Sequence, residues 1–157
     1  MSARVASVRD ATRADIDTLV AYNAAMAWET EQKRLDPDVL ARGIAAVFDD
    51  PGRGFYLVAE LDGAPAGALL VTFEWSDWRC GDWWWIQSVF VPEAHRRAGV
   101  FRSLYGAVES RARARTDVVG LRLYVEWENE RAQRTYTSLG MKQAHYHMYQ
   151  RSFVALD

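Results

Sequence analysis

The sequence is short of cysteine, of net charge and of long apolar runs, and each shortage excludes a class of protein. Cys80 is the only cysteine among 157 residues, so an internal disulfide is excluded and we expect a reducing, cytoplasmic setting. The 19 Lys and Arg residues are balanced by 21 Asp and Glu residues, which leaves no overall basic field for nucleic acid. No stretch approaches the roughly 20 apolar residues of a membrane span, and the first residues lack the apolar run of a secretory signal. We therefore expect neither nucleic acid nor a membrane as a partner.

The composition that remains is that of a soluble globular domain. Half of the residues are apolar and 13% are aromatic, which is enough to bury a sizeable core in a chain of this length. No internal repeat, low-complexity tract or linker interrupts the sequence. We therefore expect one domain over residues 1–157, with its core at about 4–153.

Local signals predict a mixed α/β fold. A capping box at Thr12 to Asp15 and the pair Asp36-Pro37 each indicate a helix start, and Asp62-Gly63 between two β-rich runs indicates a hairpin. Strands are expected at about 5–8, 55–61, 66–75, 83–91, 121–125 and 146–153. Further helices are expected at about 100–115 and 129–139. This order of elements predicts helices packed on a mixed sheet.

The segment from Ser88 to Leu104 is the most informative part of the chain. A strand leads through a basic turn that contains Gly99 into a helix, and the free N–H groups at a helix start attract phosphate. The turn matches neither the mononucleotide phosphate loop nor the dinucleotide fingerprint. Two interpretations stay open from these residues: a pyrophosphate site, or solvated arginines beside a glycine that only serves the turn.

A second segment, from Val125 to Met141, strengthens the first interpretation. With Asn129 as the N-cap, Ala132 and Tyr136 fall on one face of a helix that ends at Gly140. Together the two segments resemble the GNAT superfamily of N-acetyltransferases. The acetyl-CoA motif of that family, Gln/Arg-x-x-Gly-x-Gly/Ala, reads here Arg96-Arg97-Ala98-Gly99-Val100-Phe101. Phe101 stands where the family prefers Gly or Ala.

The resemblance implies a fold and a reaction. The fold is α/β, with a central, mostly antiparallel sheet of six to seven strands that splays open between strands 4 and 5 and is flanked by about four helices. The reaction transfers an acetyl group from acetyl-CoA to a primary amine of a small molecule, by direct attack in a ternary complex and without a metal. The alternatives are a peptide or protein amine as acceptor, or a non-catalytic sensor that binds acyl-CoA. A homodimer is also left open.

The same resemblance assigns roles to the two motifs. The backbone at Val89, Phe90 and Val91 is expected along the pantetheine arm, and the Val89 N–H is expected to polarise the thioester carbonyl. Tyr136 is the candidate general acid for the leaving thiolate, against the alternative of a core tyrosine. Besides the three strand residues, the residues expected to contact acetyl-CoA are Arg96, Arg97, Ala98, Gly99, Val100, Phe101, Arg102, Ser103, Asn129 and Tyr136.

Acceptor recognition is predicted between the first two helices and on the fourth strand. Glu29 beside Trp28 is a candidate to hold a cationic amine by charge and cation–π contact, at the opposite end of the cleft from the phosphates. Trp85 is a second candidate because it is expected to share a strand face with Gln87 and Val89. An amphipathic helix end and an aromatic core are the alternative interpretations.

The general base is not identified by the sequence. The fourth strand carries no carboxylate between Trp83 and Val89, although Gln87 is able to position a water molecule. Substitutes are Glu29, Glu74, Asp82 and Glu126, and desolvation of the amine would remove the need for a base. His145 and His147 alternate on the expected last strand, but without a third ligand we expect no metal site.

Overall fold

The computed structural model describes residues 4–155 and groups the chain into two compact units, Met1–Arg122 and Leu123–Asp157. The second unit contains α4 (Glu130–Ser138). The first unit contains the remaining elements in this order: β1 (Ser7–Asp10), α1 (Ile16–Glu31), α2 (Pro37–Asp49), β2 (Gly54–Leu61), β3 (Ala64–Ser76), β4 (Gly81–Phe90), α3 (Val100–Arg113) and β5 (Val118–Arg122). The expectation of one domain over 1–157 stays a prediction.

The five strands form one sheet in the order β1-β2-β3-β4-β5. The first three pairings are antiparallel, and β5 pairs with β4 in parallel. A parallel neighbour needs a crossover connection, and α3 supplies it between β4 and β5. The predicted mixed α/β class and the four predicted helices are therefore confirmed in the described part of the chain.

The predicted hairpin turn and the two predicted helix starts are present at the residues that indicated them. Asp62 and Gly63 form a two-residue turn with φ of 53° and 78°, the two positive values that a tight hairpin needs. The Asp36 carboxylate accepts hydrogen bonds from the N–H groups of Asp38 and Val39 and so caps α2. The Thr12 N–H donates to Asp15 at 2.7 Å, which confirms the capping box. This box opens a short 3₁₀ turn that continues into α1.

Two apolar layers hold the sheet. On one face α1 and α2 pack on β2 and β3 through Leu19, Ile44, Tyr56, Val58 and Ala68. Since successive strand residues face opposite sides, Leu57 and Leu69 project to the other face, and both are fully buried. There α3 approaches the sheet so closely that a Cβ on Gly67 would lie 2.8 Å from a methyl group of Val100. The start of α3 is therefore fixed against the middle of β3.

The predicted number of strands is wrong. The described residues form five strands rather than six to seven, and β5 ends at Arg122 instead of continuing to residue 125. The expected last strand over 146–153 falls in the second unit, whose described residues contain one helix and no strand. A strand is stable only when a neighbour receives its backbone hydrogen bonds, and β-forming side chains do not supply that neighbour.

Among the described residues, no helix is long and apolar enough to cross a membrane.

Candidate active site

The predicted anion-binding residues lie in the turn that joins β4 to α3 and in the first residues of α3. After Pro92, a 3₁₀ turn over Glu93–His95 leads into residues 96–99, and α3 begins at Val100 as predicted. Gly99 is the N-cap of α3 with φ of 76°, a conformation that a β-branched residue avoids. A Cβ at Gly99 would meet no atom within 4 Å, so the backbone there faces open space.

The electrostatics of this turn favour an anion. Gly99, the N-cap residue, has no side chain to cap the helix, and the N–H groups of the first turn of α3 are directed out of the helix at this end. The dipole of this 14-residue helix adds partial positive charge at the same place. Arg97 also adopts a left-handed conformation, with φ of 66°. No sequence signal predicted this conformation for an arginine.

A β-bulge interrupts β4 just before this turn. Ala68 pairs with Phe90 and Leu70 pairs with Gln87, so a step of two residues on β3 faces a step of three on β4. Ser88 carries the irregularity with φ of 52°. A bulge leaves one residue outside the ladder, which releases backbone groups at Ser88 and Val89 from β3. The sequence did not signal this bulge, since no glycine marks it.

The bulge also reverses the alternation of side chains. Through the register, Phe90 and Gln87 lie on the same face of the sheet, and Trp85 shares this face through its pairing with Thr72. Val89 therefore belongs to the opposite face, and the prediction that it shares a face with Trp85 and Gln87 is wrong. A period of two holds only while the ladder is regular.

The pairing between β4 and β5 stops early. The last paired residues are Trp85 and Arg122, whereas β4 continues for five more residues, Ile86 to Phe90. Beyond Trp85, β5 therefore supplies no partner for the backbone groups on this edge of β4. The pairing stops where β5 ends, and the splaying expected between strands 4 and 5 stays a prediction.

Arg96, the first residue of the predicted motif, is tied to two other elements. Its Nε donates to the carbonyl oxygen of Val91 at 2.9 Å, and its Nη2 lies 2.6 Å from Oε2 of Glu29. Its guanidinium carbon also lies 5.9 Å from the centre of the Phe90 ring. Glu29 was expected at the far end of the cleft from the phosphates, but it contacts the predicted phosphate-binding turn directly.

The second predicted acceptor residue also holds an arginine. The guanidinium carbon of Arg34 lies 4.8 Å from the centre of the Trp28 ring, a distance at which a cation interacts with an aromatic face. Trp28 is half exposed and lies one residue before Glu29 in the last turns of α1. Both parts of the predicted cation site thus meet an arginine of this chain.

A polar cluster lies on the face of β4 that carries Trp85, at the last residue that pairs with β5. Oε1 of Glu74 accepts hydrogen bonds from Trp85 Nε1 at 2.7 Å and from Arg122 Nη1 at 2.9 Å. These contacts, the Trp85 hydrogen bond first, hold the pKa of Glu74 below its ordinary value. A carboxylate with a lowered pKa is a weaker base, so this geometry disfavours Glu74 as the general base. On the same face, Gln87 donates to the hydroxyl of Thr72.

The remaining predicted residues lie in or near the second unit. Asn129 accepts a hydrogen bond from the Ala132 N–H at 3.1 Å and caps α4, as predicted. Tyr136 follows one turn after Ala132, and burial raises the pKa of its phenol. The hydroxyl therefore keeps its proton at neutral pH. Gly140, with φ of 91°, ends the helix in the predicted manner.

The two remaining candidate bases are distributed over both units. Asp82 lies at the start of β4, beside Val118 of β5, and Glu126 lies in the second unit, before α4. The described residues contain no group of three His, Cys, Asp or Glu side chains that could hold a metal ion.

Comparison with known proteins agrees with this fold and turn. A model of the acetyltransferase (GNAT) family matches residues 17–141. The crystal structure of a possible acetyltransferase from Clostridium difficile 630 is 39% identical, with a TM-score of 0.89, and the alignment covers 96% of this chain and 99% of that one. No match was found among curated protein sequences.

Two more distant structures share the fold. A predicted acetyltransferase with acetyl-CoA from Clostridium acetobutylicum is 14% identical with a TM-score of 0.75, over 94% of this chain and 96% of that one. An aminoglycoside N-acetyltransferase, AAC(6')-Iy, in complex with CoA is 14% identical with a TM-score of 0.76, over 98% of this chain and 100% of that one. The family match over most of the chain shows that it belongs to the acetyltransferase (GNAT) family.

Proposed function

We propose that this protein transfers the acetyl group of acetyl-CoA to a primary amine of a small molecule by direct attack. The observation that carries the proposal is the start of α3 at Gly99, an N-cap residue without a side chain, which follows the bulged and partly unpaired end of β4 after the turn over residues 91–98. Helix N–H groups suit a pyrophosphate, and free strand N–H and C=O groups suit an amide-containing arm. Two solved structures of the same fold hold CoA or acetyl-CoA, which supports the choice of ligand.

The cofactor roles follow from this arrangement. Residues 96–103 would surround the pyrophosphate, and Asn129 would keep the start of α4 in place. Val89, Phe90 and Val91 would offer backbone groups to the pantetheine arm. Within that set, the Val89 N–H would donate to the thioester oxygen as negative charge develops on it.

The transfer step moves the acetyl group from the sulfur of CoA to the nitrogen of the amine. The amine nitrogen forms a bond to the carbonyl carbon, the carbon–sulfur bond breaks, and the CoA thiolate leaves. Tyr136, whose pKa is raised by burial, carries the proton that we assign to this thiolate. The proton that the attacking nitrogen loses when the amide forms passes through water to the tyrosinate and restores the phenol. The amine must arrive without its extra proton, and a desolvated acceptor pocket lowers the pKa of an amine sufficiently to help.

For the acceptor we propose the face of β4 that carries Trp85 and Gln87. An indole ring and an amide that already lie beside Thr72 and Glu74 offer both apolar contact and hydrogen bonds. Trp28 and Glu29 are less available to a cationic amine, because each holds an arginine of this chain.

The test is a screen of amines and peptides that follows free thiol release from acetyl-CoA, with the Tyr136→Phe variant beside the parent. Phenylalanine keeps the ring but lacks the proton, so we expect an unchanged acetyl-CoA affinity and a kcat lower by about 10²–10⁴-fold. The loss should shrink with a thioester whose thiol is more acidic. Thiol release with peptides alone would replace the small-molecule acceptor, and no release with any amine would replace the enzyme with an acyl-CoA-binding protein.

A further inference from the structure

The ion pair between Glu29 and Arg96 joins the end of α1 to the turn before α3. Its partners are 67 residues apart in the chain, and its atoms are 2.6 Å apart. Both side chains are partly exposed, at 40% for Arg96 and 44% for Glu29, so neither is forced into the pair by burial. Arg96 also binds the Val91 carbonyl at 2.9 Å. The arginine thus bridges α1 and the segment that leaves β4.

The geometry uses a property that arginine has and lysine lacks. The guanidinium is planar and carries donors that point in fixed, different directions. Here Nε is directed at a backbone carbonyl and Nη2 at a carboxylate, so two contacts fix the plane of the group. The carboxylate also neutralises the charge of Arg96. The pair therefore orients the turn more than it supplies positive charge to a ligand.

A second contact brings the same face of α1 to the same place. Tyr22 lies two helical turns before Glu29, at positions i and i+7, which share one side of a helix. Its ring centre lies 5.2 Å from that of Phe90, the last residue of β4. One face of α1 therefore contacts both the bulged end of β4 and the turn that follows it.

The turn needs such support because its backbone is strained. Arg97, the next residue, has φ of 66°, in the left-handed region that residues with a side chain rarely adopt. Strained turns persist when surrounding contacts over-determine them. Arg96 is the residue through which α1 and the Val91 carbonyl can supply that restraint.

We propose that Glu29 is a positioning residue for the acetyl-CoA turn. It holds Arg96, and through Arg96 it keeps residues 96–99 in the conformation that presents the helix N–H groups to pyrophosphate. This proposal rests on the proposed acetyl-CoA site. It differs from the sequence hypothesis that Glu29 receives the acceptor amine, and the two assign opposite kinetic consequences to one substitution.

The experiment measures acetyl-CoA and CoA affinity by calorimetry, and both KM values, for Glu29→Gln, Arg96→Lys and the double variant. The positioning role predicts weaker acetyl-CoA binding by about two- to fivefold in Glu29→Gln, the range for partly exposed pairs. The KM for the amine and kcat at saturation should stay unchanged. Arg96→Lys keeps the positive charge but lacks the planar guanidinium with its two directed donors, so it should also bind acetyl-CoA more weakly. The double variant should bind no more weakly than the single variant with the larger loss of affinity.

Glu31→Gln is the matched control. It removes the same charge from the same helix end, where Glu31 pairs with Lys33 at 3.2 Å, and it should leave acetyl-CoA affinity unchanged. A raised KM for the amine with unchanged acetyl-CoA affinity in Glu29→Gln would overturn the positioning role in favour of an acceptor carboxylate. Additive losses, or no change at all, would overturn it too.

Failure of the underlying site would look different. Gly99→Val forces a β-branched residue into the left-handed region at the start of α3 and should abolish acetyl-CoA binding. If Gly99→Val binds like the parent while folded, the acetyl-CoA site itself is misplaced. If Gly99→Val loses binding and Glu29→Gln does not, only the positioning role fails.

Discussion

The two halves of β4 are continuous in sequence but are held in different ways. From Asp82 to Trp85 the strand pairs with β3 on one edge and with β5 on the other. From Ile86 to Phe90 it pairs with β3 through a bulge, and β5 provides no partner. The backbone groups of the first half form hydrogen bonds within the sheet, whereas some backbone groups of the second half stay available to a ligand. The candidate site therefore lies at the part of β4 whose backbone is not fully paired within the sheet.

Side-chain packing follows the same division. In the first half, Trp84 is 5% exposed and packs edge-on against Phe55, while the Arg122 guanidinium carbon lies 4.0 Å from the centre of the Trp83 ring. In the second half, Ser88 is in the left-handed region and Phe90 meets Tyr22 of α1. Apart from Trp85, which we assign to the acceptor, substitutions in the first half should therefore affect stability, and substitutions in the second half should affect catalysis.

The largest effect is expected for Val89→Pro. Proline removes the N–H that we assign to the thioester oxygen, and loss of one such donor lowers kcat by about 10²–10³-fold. Steady-state kinetics with acetyl-CoA measures the change. Val89→Ala is the control, since it keeps the N–H and should retain activity near that of the parent. Parental turnover in the proline variant would show that the second half of β4 holds no catalytic donor.

An intermediate effect on stability is expected for Gly120→Ala, which probes the first half. A Cβ on Gly120 would lie 2.5 Å from the Trp83 ring, so the ring or β5 must move, at a cost of about 1–3 kcal/mol in the free energy of unfolding. Urea denaturation measures it. Gly106→Ala, inside α3 with no atom within 4 Å of the new Cβ, should instead stabilise by about 0.5–1 kcal/mol. Equal stability of the two variants would contradict the packing account of β4.

The smallest effect is expected for Glu74→Gln. Its carboxylate receives Trp85 and Arg122 and is about half exposed, so we expect a loss below ~1 kcal/mol at pH 7. Because these contacts lower the pKa of Glu74, the stabilisation is complete above its ordinary pKa and disappears as the pH falls through the lowered value. Urea denaturation at pH 7 and in acid checks both statements.

Activity of the same variant separates a structural contact from a general base. If Glu74 only braces the first half of β4, kcat in Glu74→Gln should stay within a factor of a few of the parent value. A fall of 10²-fold or more, with the fold intact, would make Glu74 the missing base and move the chemistry into the first half of the strand.

Much of the fold could be predicted because its signals are local. The turn at Asp62 and Gly63, the cap at Asp36 and the cap at Asn129 each depend on a few consecutive residues whose side chains or φ values determine the geometry. The paired motifs around Gly99 and Tyr136 carried the family resemblance, which the family match confirms. The roles of individual residues at the site stay predictions.

The errors and omissions have a common cause, which is dependence on distant partners. The last strand at 146–153 was predicted from β-forming side chains, but a strand also needs a neighbour. The bulge at Ser88 depends on how β3 and β4 align, and a change of one residue there reversed the face of Val89. The contact of Glu29 with Arg96 joins residues 67 positions apart, beyond any local pattern.

The sequence by itself determined the four helices and five of the strands, their order, the helix caps and the glycine at the start of α3, because each of these depends on short-range sterics and hydrogen bonds. Only the tertiary structure decided which backbone groups of β4 stay outside the ladder, and that Arg96 is held by α1. Those outcomes depend on strand register and on the packing of a helix formed more than sixty residues earlier, and both are settled when the sheet assembles.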